Sequence, residues 1–211
     1  MQNIKEEAIF EKEWVHVGND HIDPDLFKTP KNDDTNKPDT GVLWLSERDK
    51  DRCRWFTVME SPYQFYFREK MMKGFKNSKY KCCIVKLSDE ANILNINSKE
   101  QLDKINKYLK KSDKYKYCLD YSKLSNDYDG IFINYLIDDS FKYFGVDSLI
   151  IFNPNIIESY KPASVNCKIF DEEEFTEYRF GIEKEFDYVP MKKEKHIKKL
   201  TLERRKNYET R

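Results

Sequence analysis

The chain has 211 residues, 36% of them charged and 39% hydrophobic, with 38 basic residues balanced by 38 acidic ones. That length accommodates one full domain, or a domain plus an extension, and is hardly enough for two large ones, and the zero net charge removes any global field that would announce nucleic acid or a membrane surface as partner. An aromatic share of 15% supplies a core despite the polar average, so the chain is expected to be globular.

The five cysteines (Cys53, Cys82, Cys83, Cys118, Cys167) are odd in number and form no C-x-x-C pair, which argues against a disulfide framework and a thiolate metal site. Residues 1–13 hold no apolar run of signal-peptide or membrane-spanning length, and the expectation is a cytoplasmic protein with no membrane partner.

In chain order, residues 4–13 carry Ile4, Ala8 and Phe10 among charges, a weak helical pattern. Trp14-Val15-His16-Val17-Gly18 alternates and ends on glycine like a short strand, with His16 facing opposite to Val15 and Val17. Residues 19–40 hold Pro24, Pro30 and Pro38 among Asp, Asn and Thr, which predicts a long loop of the kind that often serves as a lid. Gly41-Val42-Leu43-Trp44-Leu45-Ser46 reads as a second strand, and Ser46-Glu47-Arg48-Asp49 as a helix start. Apolar spacing over 49–75 predicts an aromatic-rich helix broken at Ser61-Pro62. Residues 80–87 read as a third strand, and residues 93–96 as a fourth or its continuation. Ser98 and Gln101 are placed as a capping box for a helix to about residue 111.

Two β-branched and aromatic runs follow, Tyr128-Asp129-Gly130-Ile131-Phe132-Ile133 and Asp147-Ser148-Leu149-Ile150-Ile151-Phe152-Asn153. Both are apolar enough for central strands lying side by side, with acidic ends that could sit together. Beyond Tyr160 the composition changes: an acidic block (Asp171, Glu172, Glu173, Glu174, Glu177) precedes a basic run from Lys192 to Arg211. The expected organisation is a domain over 1–160 and a charged extension over 161–211.

The order of His-x-Gly strand, long loop, Gly-hydrophobic-Trp-hydrophobic-Ser strand, aromatic-rich helix, Tyr-Asp-Gly-Ile strand and Ser-Leu-Ile-Ile-Phe-Asn-Pro strand resembles the ADP-ribosyltransferase-like fold, in its compact phage and bacterial members. The resemblance covers roughly residues 14–160. It implies an α+β fold with a split, mixed or antiparallel sheet, flanking helices and a charged C-terminal extension. It also implies mono-ADP-ribosyl transfer from NAD to a protein or nucleic-acid acceptor, in a toxin, defence or phage-related setting. By the same resemblance His16 and Gly18 would hold NAD, Ser46 would line the site, and Trp55 or Tyr63 would cover the nicotinamide.

Where the family pattern opens a strand on a catalytic glutamate, this sequence has Asp147-Ser148. An anion is needed because the departing nicotinamide leaves positive charge on the ribose. Serine cannot supply it, so Asp147 or, from the neighbouring strand, Asp129 is the candidate. The alternative is an inactive member of the fold that binds a nucleotide or a protein without chemistry. Each residue also has a structural reading: His16 and the tryptophans as core side chains, Asp129 as a turn residue, Asp147 as a strand-end cap, and the basic tail as a solvated helix.

Overall fold

Alternation of side chains builds most of this molecule, because its β-branched and aromatic runs are short, spaced by turns, and apolar on both faces of one sheet. The structure, a computed structural model, describes residues 7–61, 80–171 and 176–191. Tyr63, the expected helical segment beyond Pro62, the core of the acidic block and the basic run from Lys192 lie outside the described residues.

The fold is mixed α+β, mostly sheet with few helices. A short helix α1 (Glu7–Phe10) leads into strand β1 (Trp14–Val17), and a small hairpin β2 (Lys31–Asn32) and β3 (Pro38–Thr40) stands on its own within the proline-rich stretch. Then come β4 (Leu43–Asp49), β5 (Arg52–Cys53), helix α2 (Arg54–Glu60), β6 (Tyr80–Leu87) and β7 (Ile93–Ile96). The second half supplies β8 (Gly130–Ile133), β9 (Ser148–Ile151), β10 (Ile157–Asp171), β11 (Thr176–Glu185) and β12 (Val189–Pro190). The main path of the large sheet runs β11-β10-β6-β1-β4-β9-β8-β7, antiparallel except for the parallel pair β7 and β8.

Three sequence expectations need correction. Ser46-Glu47-Arg48-Asp49 continues β4 instead of opening a helix, because Arg48 and Asp49 pair with β5 in a tight hairpin turned at Lys50, whose φ is +57°. The helix opened by the Ser98–Gln101 capping box ends at Lys104, after which a single 3-10 turn covers Asn106–Tyr108. The boundary expected after Tyr160 falls inside β10, an unbroken strand that pairs with β6 on one side and β11 on the other.

The expectation of adjacent strands holds: β8 pairs antiparallel with β9, and both are interior. Antiparallel pairing sets Gly130 opposite Ile151 and Ile133 opposite Ser148. Asp129 and Asp147 therefore lie at opposite ends of the strand pair and cannot share a site.

One face of the sheet carries a continuous core in which Trp14, Leu45, Cys83, Val85, Leu149 and Ile151 pack together. The other face carries two separate cores. Val15, Phe56, Met59, Ile84 and Phe180 form one over the β1-β6-β10-β11 half, and Tyr121, Ile131, Phe141, Phe144 and Ile150 form the other over the β9-β8-β7 half. The sheet thus has a seam on this second face. All five cysteines are free thiols, four of them buried, and burial pushes Cys82 up to about 12. No helix among the described residues is long and apolar enough to cross a membrane.

Gly130 sits where three strands pack closely: a Cβ there would lie 2.8 Å from the Ile150 carbonyl oxygen and 2.9 Å from Ile93 Cδ1. Gly130→Ala is expected to lower stability by about 1–3 kcal/mol in urea unfolding, the usual cost of overpacking. An unchanged midpoint would show that β7 yields freely.

Candidate functional site

The seam opens into a cleft because two strands part. β1 and β4 pair only through Trp14 with Glu47 and Val15 with Ser46, while the earlier residues of β4, Leu43 to Leu45, turn to pair with β9. Where the ladder would have continued, the His16 side chain takes over: its Nδ1 lies 3.0 Å from the Trp44 carbonyl oxygen. A carbonyl only accepts, so Nδ1 carries the proton, and in the neutral ring Nε2 is left as an acceptor. Burial lowers the His16 pKa, and the Trp44 hydrogen bond offsets only part of that.

The cleft at this fork encloses about 350 Å³. His16 and Val17 of β1 and Trp44 of β4 form one side, and Trp55 and Met59 of α2 form another. Trp44 packs on one of the two cores of this face and Trp55 on the other, and their rings meet at 5.9 Å between centroids, inclined by 47°. The aromatic pair bridges the seam.

The third wall is the hairpin loop, represented by Asp33, Lys37, Pro38 and Asp39. Asn36 clamps it. Fully buried and left-handed at φ 62°, Asn36 donates through Nδ2 to the Tyr117 and Ser140 carbonyls at 2.8 and 3.0 Å and accepts from the Leu119 N–H at 3.0 Å. Its own carbonyl accepts from the Tyr121 hydroxyl at 2.9 Å. Asparagine tolerates this backbone region better than most residues, and its short amide can satisfy three groups at once.

The loop's charges differ in availability. Burial pushes the Asp33 carboxyl up, but donors from Lys37 and Thr35 outweigh it and hold the group below its usual value. Asp33 is thus an anion with its oxygens occupied. Lys37 is half-buried, its pKa lowered by burial against the pull of Asp33, and its Nζ stands 5.9 Å from the Trp44 ring centroid. Asp39 is exposed at the rim.

Of the residues expected from sequence, His16 and Trp55 do share this cleft, although 39 positions apart. Ser46 is fully buried beneath it, its Oγ accepting from the Trp55 N–H at 3.3 Å, so it positions the start of α2 and does not line the cleft. Gly18 extends the ladder past β1: its N–H donates to the Lys81 carbonyl at 3.0 Å and is spoken for.

The expected anions lie elsewhere. Asp129 binds the Asn92 N–H at 3.0 Å and Asn153 Nδ2 at 2.6 Å, tying together the ends of three strands, which is the turn role. Ser148 is fully buried and donates to the Val146 carbonyl. Asp147 accepts from the Tyr135 N–H at 3.2 Å on the far side of α2, in a different cleft. Asp33, Lys37 and Asp39 were not legible as individual site residues, because the sequence marks their stretch only as a long loop of the lid kind. Within it, Asp33-Asp34-Thr35-Asn36 is a turn-forming run between two prolines.

Because the folded pKa of His16 lies below its ordinary 6.5, the unfolded chain takes up a proton first as pH falls. The stability His16 contributes is fully present above 6.5 and is lost as the pH drops through the lower folded value. Comparing denaturant unfolding at pH 7.5 and 5.0, wild type is expected to lose more stability than His16→Asn; equal losses would show that burial does not hold the ring neutral.

No family model matches this chain, and no curated protein or solved structure is similar to it. Its function is therefore argued from the fork cleft itself.

Proposed function

We propose that the fork cleft is a nucleotide-binding site whose ligand is NAD, held through its nicotinamide and ribose half. The observation that carries this reading is the meeting of His16, Trp44 and Trp55 at the point where β1 and β4 part. A tryptophan pair offers stacking area to a flat heteroaromatic ring, worth about 1–3 kcal/mol per base. The neutral His16 Nε2 is an acceptor for a ribose hydroxyl. Lys37, beside Trp44, is a cation for a phosphate.

Size supports one half of a dinucleotide. A cleft of about 350 Å³ lies at the small end of ligand pockets, which run from about 300 to 1,000 Å³. The rest of NAD would lie along the exposed rim. Binding without transfer is the favoured reading, because the anions expected for transfer chemistry serve other purposes: Asp129 as a strand tie and Asp147 across α2. The second reading, mono-ADP-ribosyl transfer to a macromolecular acceptor, is favoured by a single feature, the exposed carboxylate of Asp39 at the cleft rim.

The test follows tryptophan fluorescence during titration with NAD, nicotinamide mononucleotide and AMP, together with chromatographic detection of nicotinamide. NAD is expected to quench saturably, and Trp55→Ala to weaken binding at least about tenfold, since stacking already operates in the ground state. Absence of nicotinamide release supports binding alone. Release that is abolished by Asp39→Asn with NAD affinity retained would install the transferase reading, and a chain that no nucleotide quenches would overturn both.

A further inference from the structure

Helix α2 is two-sided. Trp55 and Met59, four residues apart, face the fork cleft, whereas Arg54, Thr57, Val58 and Ser61 line a second cleft of about 500 Å³ on its other side. The opposite wall is built from two connections at one end of the β8 and β9 pair: Tyr135 and Leu136 after β8, and Gly145, Val146 and Asp147 before β9. Gly145 closes a 3-10 helix in a left-handed conformation at φ 75°, and a Cβ there would lie 3.5 Å from Val58 Cγ2. The two walls therefore approach closely.

The two walls carry opposite charges. Asp147 is half-buried, and burial pushes its pKa up, with the Tyr135 N–H and the charge of Arg54 acting the other way. The only hydrogen bond it accepts among the described residues is the one from Tyr135, to Oδ1, so Oδ2 remains available. Arg54 is exposed, and among the described residues neither it nor Asp147 forms an ion pair within 4.0 Å, although the charge of Arg54 acts on Asp147 across the cleft. Two further charges act on Asp147: Glu47 raises its pKa and Lys12 lowers it. They are bonded to each other at 2.9 Å and act on Asp147 in opposite directions.

We infer that this second cleft is a binding site for a small zwitterion of the α-amino acid class, its ammonium group on Asp147 and its carboxylate on Arg54. A simple cation would be attracted by Asp147 and repelled by Arg54, and a simple anion would meet the reverse. A molecule carrying both charges is favoured at both walls. Val58 and Val146 add aliphatic wall, and Leu136, 76% exposed, forms an apolar lip, so an aliphatic side chain suits the cleft. The Thr57 and Ser61 hydroxyls lie on the same wall as Arg54 and can share the carboxylate. The site lies outside the fork cleft and does not depend on NAD binding there.

The probes are leucine, leucinamide, which lacks the carboxylate, and 4-methylpentanoate, which lacks the ammonium group. Binding is measured by calorimetry and by amide chemical shifts of the intact chain. Leucine is expected to bind saturably, and each analogue at least about tenfold more weakly, the size of one lost charge-assisted pair. Asp147→Asn keeps an acceptor for the Tyr135 N–H and Arg54→Gln alters an exposed residue, so both are expected to fold with unchanged melting and to lose leucine affinity by a similar factor. Fork-cleft titration with NAD in the same variants should be unaffected. Failure of leucine to bind at millimolar concentration, analogues as tight as leucine, or variants that bind it undiminished would each overturn the assignment.

Discussion

The structure depends on one exchanged hydrogen bond. At the fork the Trp44 carbonyl has lost its place in the β1 ladder, and a carbonyl left unpaired away from water costs about 1–3 kcal/mol. The His16 imidazole satisfies it at 3.0 Å and so makes the parting of β1 and β4 tolerable. The same bond fixes which ring nitrogen is protonated, sets the ring against the cleft, and leaves β4 free to swing over to β9. The two cores of the second face stay separate, and Trp44 and Trp55 meet between them.

Much of the sheet was legible in the sequence, since the runs at Trp14, Tyr80, Ile93, Gly130 and Ser148 are short, β-branched and bounded by turns. The Ser98 capping box was readable for the same reason, being a local contract among four consecutive residues. Direction was not legible. Nothing in the runs around Asp129 and Asp147 says whether they pair parallel or antiparallel, and that choice alone separates the two carboxylates by the length of a strand. The compositional break at Tyr160 misled for a related reason: charge marks the solvated face of β10 and β11, while Ala163, Val165 and Phe180 on the other face are buried.

The hairpin loop shows how a stretch without apolar periodicity can still be rigid. Asn32, Asn36 and the Asp34 carbonyl bind backbone or hydroxyl groups of residues 115–121, more than eighty positions away in sequence. Such long-range polar ties leave no period in the sequence, so Lys37 and Asp39 become visible as cleft residues only once the fold is formed. They also make the cleft a product of both halves of the chain.

One consequence concerns the outer flank of β11. Its middle is already engaged: the Phe180 N–H donates to Glu60 at 2.7 Å, the Phe180 carbonyl accepts from Arg52 at 3.1 Å, and the Ile182 N–H donates to the Asp51 carbonyl at 2.6 Å. An added strand would have to break these contacts before forming its own, so growth of the sheet by a second chain is opposed at this rim. The segment that closes the rim, residues 51–60, includes the helix that carries Trp55. Anything that pried β11 open would therefore shift one wall of the fork cleft, and the protein's resistance to strand addition and the shape of its binding site are maintained by the same short stretch.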